Sequence, residues 1–316
     1  MKTAYAIVSL LTAGVLVAGG AAAQNFPNKP IRIVTYPAGG GADFVARVIA
    51  DRLSESLGQP VIVENRSGLV TVEIVVKAPA DGYTLLFNTS GLWTLPLLQK
   101  TSYDPVRDLA PVSWATRSPL VVIANKSVPA RSARELIDYA KARPGKLNYG
   151  SGTTGGPSHL PVVLFNAMAG VDIVRIAYKG GGPAVIALLA NEVQVIFATP
   201  SVATTHVKGG KLTAFAVTSV QPSALFPGLP ALAETLPGYE AILMDGMFAP
   251  AGTPASVVNL LRREIAKGLS LPEGKDRLRT AGLEAVGSTP QQLDAKMKSE
   301  IAKWGKIIRD TGIRTE

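Results

Sequence analysis

The stretch Ile31-Arg32-Ile33-Val34-Thr35-Tyr36-Pro37-Ala38-Gly39-Gly40-Gly41-Ala42-Asp43 reads as a strand that ends in a glycine-rich turn and hands over to a helix. The strand is expected from Ile31 to Tyr36. From Asp43 to Leu57 the apolar residues Phe44, Val45, Val48, Ile49 and Leu53 keep the 3.6-residue helical period. Three glycines without Cβ atoms let the backbone approach a ligand closely and take φ > 0. The helix behind them presents free N–H groups and a partial positive charge. An anion site is therefore expected here, with Tyr36, Ala38, Gly39, Gly40 and Asp43 around it. A plainer reading is that Asp43 only caps the helix and the glycines only make the turn.

The same strand-to-helix unit recurs along the chain. Strand Val61 to Glu64 precedes a helix from Val70 to Lys77, and the continuous run Tyr83 to Phe87 reads as a buried parallel strand leading to a polar loop with Ser90. A second series follows the strand Leu120 to Ala124. Its helices are expected near residues 131–142, 159–168, 183–190 and 202–208, and its strands at 147–149, 173–177, 193–197 and 212–217. Repetition of this order predicts an α/β fold of two doubly wound lobes. Crossings are expected at Asn125 to Pro129 and Ser219 to Pro230, which puts 24–125 and 223–316 in lobe I and 126–222 in an inserted lobe II. Helices Pro254 to Leu269 and Pro290 to Ile308 close the chain; the stripe Leu293, Met297, Ile301, Trp304 and Ile308 assigns the last one to lobe I core packing. Two crossings imply a hinge between lobes that close on a ligand.

Two more glycine-rich turns sit between a strand and a helix. Residues 149–159 supply Ser151, Thr153, Thr154, Ser158 and His159 at the start of a helix, a cradle suited to a carboxylate. Gly150 to Gly155 also matches the dinucleotide fingerprint, but the acid expected at the end of the next strand is missing, since Asp172 stands at its start. The third turn, Tyr178-Lys179-Gly180-Gly181-Gly182-Pro183, offers Tyr178, Gly180 and a lysine that could pair with a carboxylate or remain solvated.

The N-terminus reads as a secretory signal peptide over residues 1–23. Lys2 is followed by an apolar stretch too short to span a bilayer and by Ala21-Ala22-Ala23, which places cleavage after Ala23 and the mature chain in the periplasm. The absence of cysteine removes disulfides and the lipid-bearing cysteine of a lipoprotein. Thirty-two basic residues stand against 23 acidic ones, a net charge of +9 that falls to +8 without Lys2. They are interspersed with acids, as in Lys275-Asp276-Arg277, so nucleic acid is not expected as a partner and anionic small molecules are. Two histidines far apart give no metal spacing, and there is no P-loop, no cysteine nucleophile and no Gly-x-Ser-x-Gly. No cofactor, metal or catalytic residue is expected. His159 reads as structural or as a ligand hydrogen-bond donor rather than a base.

Several stretches together resemble the Bug-type receptors of tripartite tricarboxylate transporters. They are KPIRIVTYPAGGGADFVAR (29–47), LGQPVIVENRSG (57–68), KAPADGYTLL (77–86), PGKLNYGSG (144–152), SHL (158–160), VDIVRIAYKGGGPA (171–184), GGKLTAFAVTS (209–219), FAPAGTP (248–254) and AKWGKIIRDTGI (302–313). The resemblance implies a type II periplasmic-binding-protein fold and a ligand with at least one carboxylate, held by backbone amides and ordered water at the turns matching Pro37 to Asp43 and Ser151 to His159. It also implies a monomeric receptor for a small organic acid that delivers to membrane permease subunits. A subunit sensing for a membrane signalling partner, or more remotely an exported enzyme acting on an organic acid, would use a similar fold. The chain departs from the family pattern at the shortened loop Ser67-Gly68-Leu69-Val70, at Ala198-Thr199 and at Met244-Asp245. With Thr199 and Asp245 facing the cleft and Leu69 and Val70 as an apolar wall, these departures suggest a ligand with an apolar or aromatic body. Asp245 is the counter-indication.

Overall fold

The computed structural model describes residues 26–152, 154–179 and 181–313; the cleavage expected after Ala23, and Thr153 and Gly180, lie outside them. The first lobe is built on strands β1 (Ile31–Thr35), β2 (Val61–Asn65), β3 (Thr84–Thr89), β4 (Leu109–Pro119), β10 (Ile242–Pro250) and β11 (Glu284–Ala285). They form a six-stranded sheet of order β11-β4-β10-β3-β1-β2. The second lobe uses β5 (Val121–Asn125), β6 (Asn148–Ser151), β7 (Val174–Ala177), β8 (Val195–Ala198) and β9 (Leu212–Val217). Its five-stranded sheet has the order β7-β6-β8-β5-β9.

Helices cover both faces of each sheet. In lobe I, α1 (Gly41–Leu57) and α8 (Ala255–Ser270) bury Val45, Ile49, Leu53, Val257, Leu261 and Ile265 against Ile31, Ile33, Leu85 and Phe87 on one face. On the other, α2 (Val70–Val76) and the short α3 (Gly91–Thr94) pack Val72, Val75 and Trp93 against Val34 and Leu86. The alternation of Leu85 and Phe87 with Leu86 between these clusters is the period of two of a strand buried on both sides. In lobe II, α4 (Ala133–Lys141) and α5 (Leu160–Ala169) share a core with Val122 and Phe197, while α6 (Gly181–Leu189) and α7 (Pro200–Lys208) cover the opposite face at Val121 and Ile123. Helix α9 (Pro272–Thr280) buries only Gly274 and Leu278.

Both sheets are mixed. Strand β1 runs parallel to β2 and β3, whereas β10 is antiparallel to β3 and β4. The reason is the route of the chain: β4 leaves toward lobe II and β10 returns from it, with Ile242 opposite Pro119. The expected crossings move accordingly. Val121–Asn125 pairs with β8 and β9, so the first crossing falls at Leu120, ahead of 125. Leu232, Leu236, Tyr239 and Ala241 join the lobe II core, and Tyr239 donates to the Pro161 carbonyl at 2.7 Å, so the return comes at Ile242 rather than near 223. Helix α10 (Pro290–Thr311) is also shared. Leu293 and Met297 pack in lobe I, whereas Trp304 and Ile308 pack in lobe II, because a 22-residue helix is long enough to bridge both.

Candidate functional site

The first turn leaves β1 at Tyr36 and enters α1 at Gly41. Of its three glycines only Gly39 takes a positive φ, 86°. Gly40 is extended (φ −83°, ψ 167°), a conformation open to any residue, so the expectation of φ > 0 there does not hold. Ala38, Gly39 and Gly40 are exposed, whereas Asp43 is buried. The Asp43 carboxylate accepts from the Gly39 amide at 3.0 Å, from Asn65 Nδ2 at 2.8 Å and from Arg47 at 2.9 Å. Burial would raise its pKa, but these donors outweigh it and hold the group below the usual carboxylate range. Asp43 therefore fixes the turn and has little left for a ligand.

Across from it, the loop after β6 is organised around a residue that the motif reading passed over. The Arg175 guanidinium, brought from β7 by the pairing of Tyr149 with Arg175, threads the loop. It donates to Ser151 Oγ at 2.7 Å, to Thr154 Oγ1 at 2.9 Å and to the Gly152 carbonyl at 2.7 Å. All three acceptors are neutral, so the positive charge beneath the loop is not cancelled by them. Ser158 Oγ accepts from the Gly152 amide at 3.0 Å, and His159 Nδ1 accepts from the Gly155 amide at 2.8 Å. That bond leaves the His159 proton on Nε2. Burial and the Arg175 charge push the His159 pKa down to about 4, and its ring stacks on Tyr149 at 6.3 Å. Ser151, Ser158 and His159 thus shape the loop from behind. A lone arginine inside a strand next to a glycine-rich turn was the available signal.

Between the lobes lies a cavity of about 240 Å³. Ser90, Gly91, Thr94, Leu95 and Leu98 line it from lobe I, Thr154 to Pro157 and Leu160 from lobe II, with Ile242, Leu243 and Trp304 at the crossing. Of the expected site residues, Ser90 and Thr154 line it directly. Tyr36 adjoins it: a Cβ built on Gly91 would sit 3.6 Å from the Tyr36 hydroxyl. Burial raises the Tyr36 pKa, Thr89 and Asn88 lower it, and the charge of Asp245 raises it. Asp245 is buried and accepts from Thr116 Oγ1 at 2.7 Å.

Other expected residues lie elsewhere. The Tyr178 amide donates to the Ser151 carbonyl, but its side chain packs against the core cluster beneath α6 and α7 rather than into the cavity. Thr199 is exposed at the start of α7 and Ala198 is buried in the core beneath it. Leu69 packs against Val72 and its neighbours in lobe I and Val70 is exposed, so neither forms the expected apolar wall. The wall is made instead by Leu95, Leu98, Leu160, Leu243 and Trp304. A second interlobe cavity of about 590 Å³, away from both turns, runs from Pro200 and Lys208 to Phe226, Arg279 and Gly282.

Comparison with known proteins agrees with this architecture. Residues 45–313 match the model of the tripartite tricarboxylate transporter family receptor. Protein BugT of Bordetella pertussis is 34% identical over 322 residues, covering 99% of each chain. Among solved structures, R. palustris Rpa4515 with adipate superimposes with a TM-score of 0.79 at 34% identity, covering 92% of this chain and all of that one. MatC of Rhodopseudomonas palustris with bound malate gives 0.74 at 28% identity, covering 90% of this chain and all of that one. The chain belongs to the Bug-type family of tripartite tricarboxylate transporter receptors, two-lobed periplasmic solute-binding proteins.

Proposed function

We propose that this chain is a periplasmic receptor that closes its two lobes on a small organic acid and delivers it to membrane permease subunits. Residues 120–241 act as one lobe and the remainder of the mature chain as the other. The receptor works as a monomer without cofactor or metal, after cleavage behind Ala23. The observation that carries the reading is the Arg175-braced loop, which sets a positive charge at the edge of an interlobe cavity lined by Thr154, Gly155 and Gly156 of that loop. The cavity is small and its walls are mostly aliphatic, which suits a compact acid with an apolar body. Adipate and malate in related structures support the class of ligand.

A thermal-shift screen of the mature protein against mono- and dicarboxylates tests this. An acid present at about 100 times its Kd adds roughly 2.7 kcal/mol of stability. At least one small acid is expected to raise the Tm by several degrees while its amide does not; silence across the panel would contradict the proposal.

A further inference from the structure

Asp245 is a buried carboxylate with little to hold it. It lies on β10 opposite Thr89 of β3 and Thr116 of β4, at the carboxyl edge of the parallel strands where Tyr36 leaves β1. Its residue is 8% exposed, and one hydrogen bond, from Thr116, reaches its Oδ2. A carboxylate has room for about four donors and is costly to bury underfilled. Among the described residues no lysine, arginine or histidine adds to its electrostatics, and its companions are Thr116 and the Tyr36 phenol. Beside the same phenol, Asn88 is fully buried, with its Nδ2 lacking a hydrogen-bond partner. The edge of lobe I is thus polar, incompletely paired and negative. The loop of lobe II carries the positive charge of Arg175. A ligand spanning this polarity meets an anion-seeking cradle at one end and an acceptor at the other.

We propose that Asp245 forms a second polar subsite that takes a hydrogen-bond donor, a hydroxyl or an ammonium, at the end of the ligand remote from its carboxylate. This rests on the receptor reading above and narrows its ligand class to ω-hydroxy or ω-amino acids over dicarboxylates. A second carboxylate at that end would face Asp245 as a like charge, whereas a hydroxyl or ammonium would fill one of its open lone pairs. Asp245 does not itself line the apolar cavity; Tyr36, whose hydroxyl lies 3.6 Å from where a Cβ on cavity-lining Gly91 would sit and which feels the Asp245 charge, connects the two.

Calorimetry on the mature protein with two matched series decides it: butanoate, 4-hydroxybutanoate, 4-aminobutanoate and succinate, and hexanoate, 6-hydroxyhexanoate, 6-aminohexanoate and adipate. In at least one series a donor-bearing acid is expected to bind about tenfold or more tighter than both the plain acid and the diacid. Asp245→Leu, which keeps the size of the side chain and removes its acceptor oxygens, is expected to abolish that preference. A preference for the diacid or plain acid in the wild-type protein overturns the proposal, and that ranking needs no variant to fold. So does a donor preference that survives Asp245→Leu. Binding without donor preference leaves the carboxylate receptor standing and removes only Asp245, whereas no binding by any of the eight acids overturns both.

Discussion

At the scale of single residues, the roles in the cleft divide between groups that shape the turns and groups left open. Arg175 is the main shaping group of lobe II. Its replacement by Met would leave Ser151 Oγ, the Gly152 carbonyl and Thr154 Oγ1 without their donor and would withdraw the charge beneath the loop. Hydrogen bonds from charged groups contribute about 1.5–3 kcal/mol each, not additively. Arg175→Met is expected to weaken binding of any acid found in the screen by about tenfold or more and to lower the urea midpoint; unchanged affinity would remove Arg175 from the site. Gly40→Val asks the complementary question. Backbone there is extended and a Cβ would meet only the Pro37 carbonyl at 3.6 Å, so the variant should fold. If the first turn takes part in holding the ligand, the added methyls stand in its way and calorimetry is expected to show a Kd about a hundredfold weaker; unchanged affinity would remove this turn from the site.

Asp245 also carries a pH prediction. Burial raises its pKa to about 6 from 3.8, with Thr116 opposing. A carboxyl whose folded pKa is raised destabilises the fold above that pKa, where it is a buried charge, and the penalty disappears as pH falls through 6 toward 3.8. Asp245→Asn is therefore expected to be more stable than wild type at pH 7, by roughly 3 kcal/mol at most, with the difference closing by pH 4. His159, depressed to about 4, acts in the opposite sense over nearly the same range. Below its unfolded pKa of about 6.5 the unfolded chain takes up the proton and the folded chain does not, so stability is lost until pH 4. Comparing variant with wild type in denaturant melts isolates Asp245 from that background. A gap that is constant with pH would show that Asp245 titrates normally.

At the scale of elements, the periodic segments are legible in the sequence and the irregular ones are not. Helix α1 and strand β3 follow from their apolar spacing, and Leu293, Met297, Trp304 and Ile308 of α10 are buried as the stripe implies. Strand β4, with Pro111, Pro119, Ser113, Ser118 and Arg117, has no strand-like pattern of its own. It is held by pairing with β10, a long-range contact that no local window contains. The turns mark Asp43 and His159 as site residues; their donors Arg47 and Gly155 lie four residues away along the chain, whereas Asn65 reaches Asp43 only through the pairing of β1 with β2. Gly282 stands out in no sequence motif, yet it follows α9 at φ 77° and a Cβ there would come within 2.5 Å of the Pro200 ring of lobe II. A proline ring cannot swing aside. Gly282→Ala is thus expected to part the lobes on that side, measured as a larger radius of gyration by small-angle scattering and a weaker Kd; identical scattering curves would show that the contact does not govern closure.

At the scale of the whole molecule, a mixed sheet on each side, two crossings and a bridging α10 make a hinged clamp, which repetition of strand and helix in the sequence already implies. The crossings fall elsewhere than the sequence suggests because β5 reads the same whichever sheet it joins; only its partners, β8 and β9, assign it. What the clamp is proposed to hold follows from charge: Arg175 stands beneath the loop of lobe II and Asp245 at the strand edge of lobe I, and the cavity between the lobes has mostly aliphatic walls. The central claim is that a carboxylate, and not merely a compact apolar body, is what the closed clamp recognises. Calorimetric titration of the mature protein with the tightest-binding acid of the screen and with its primary amide tests this most directly. Loss of the charge should weaken binding about a hundredfold, some 2.7 kcal/mol, whereas equal affinity for acid and amide would contradict the account.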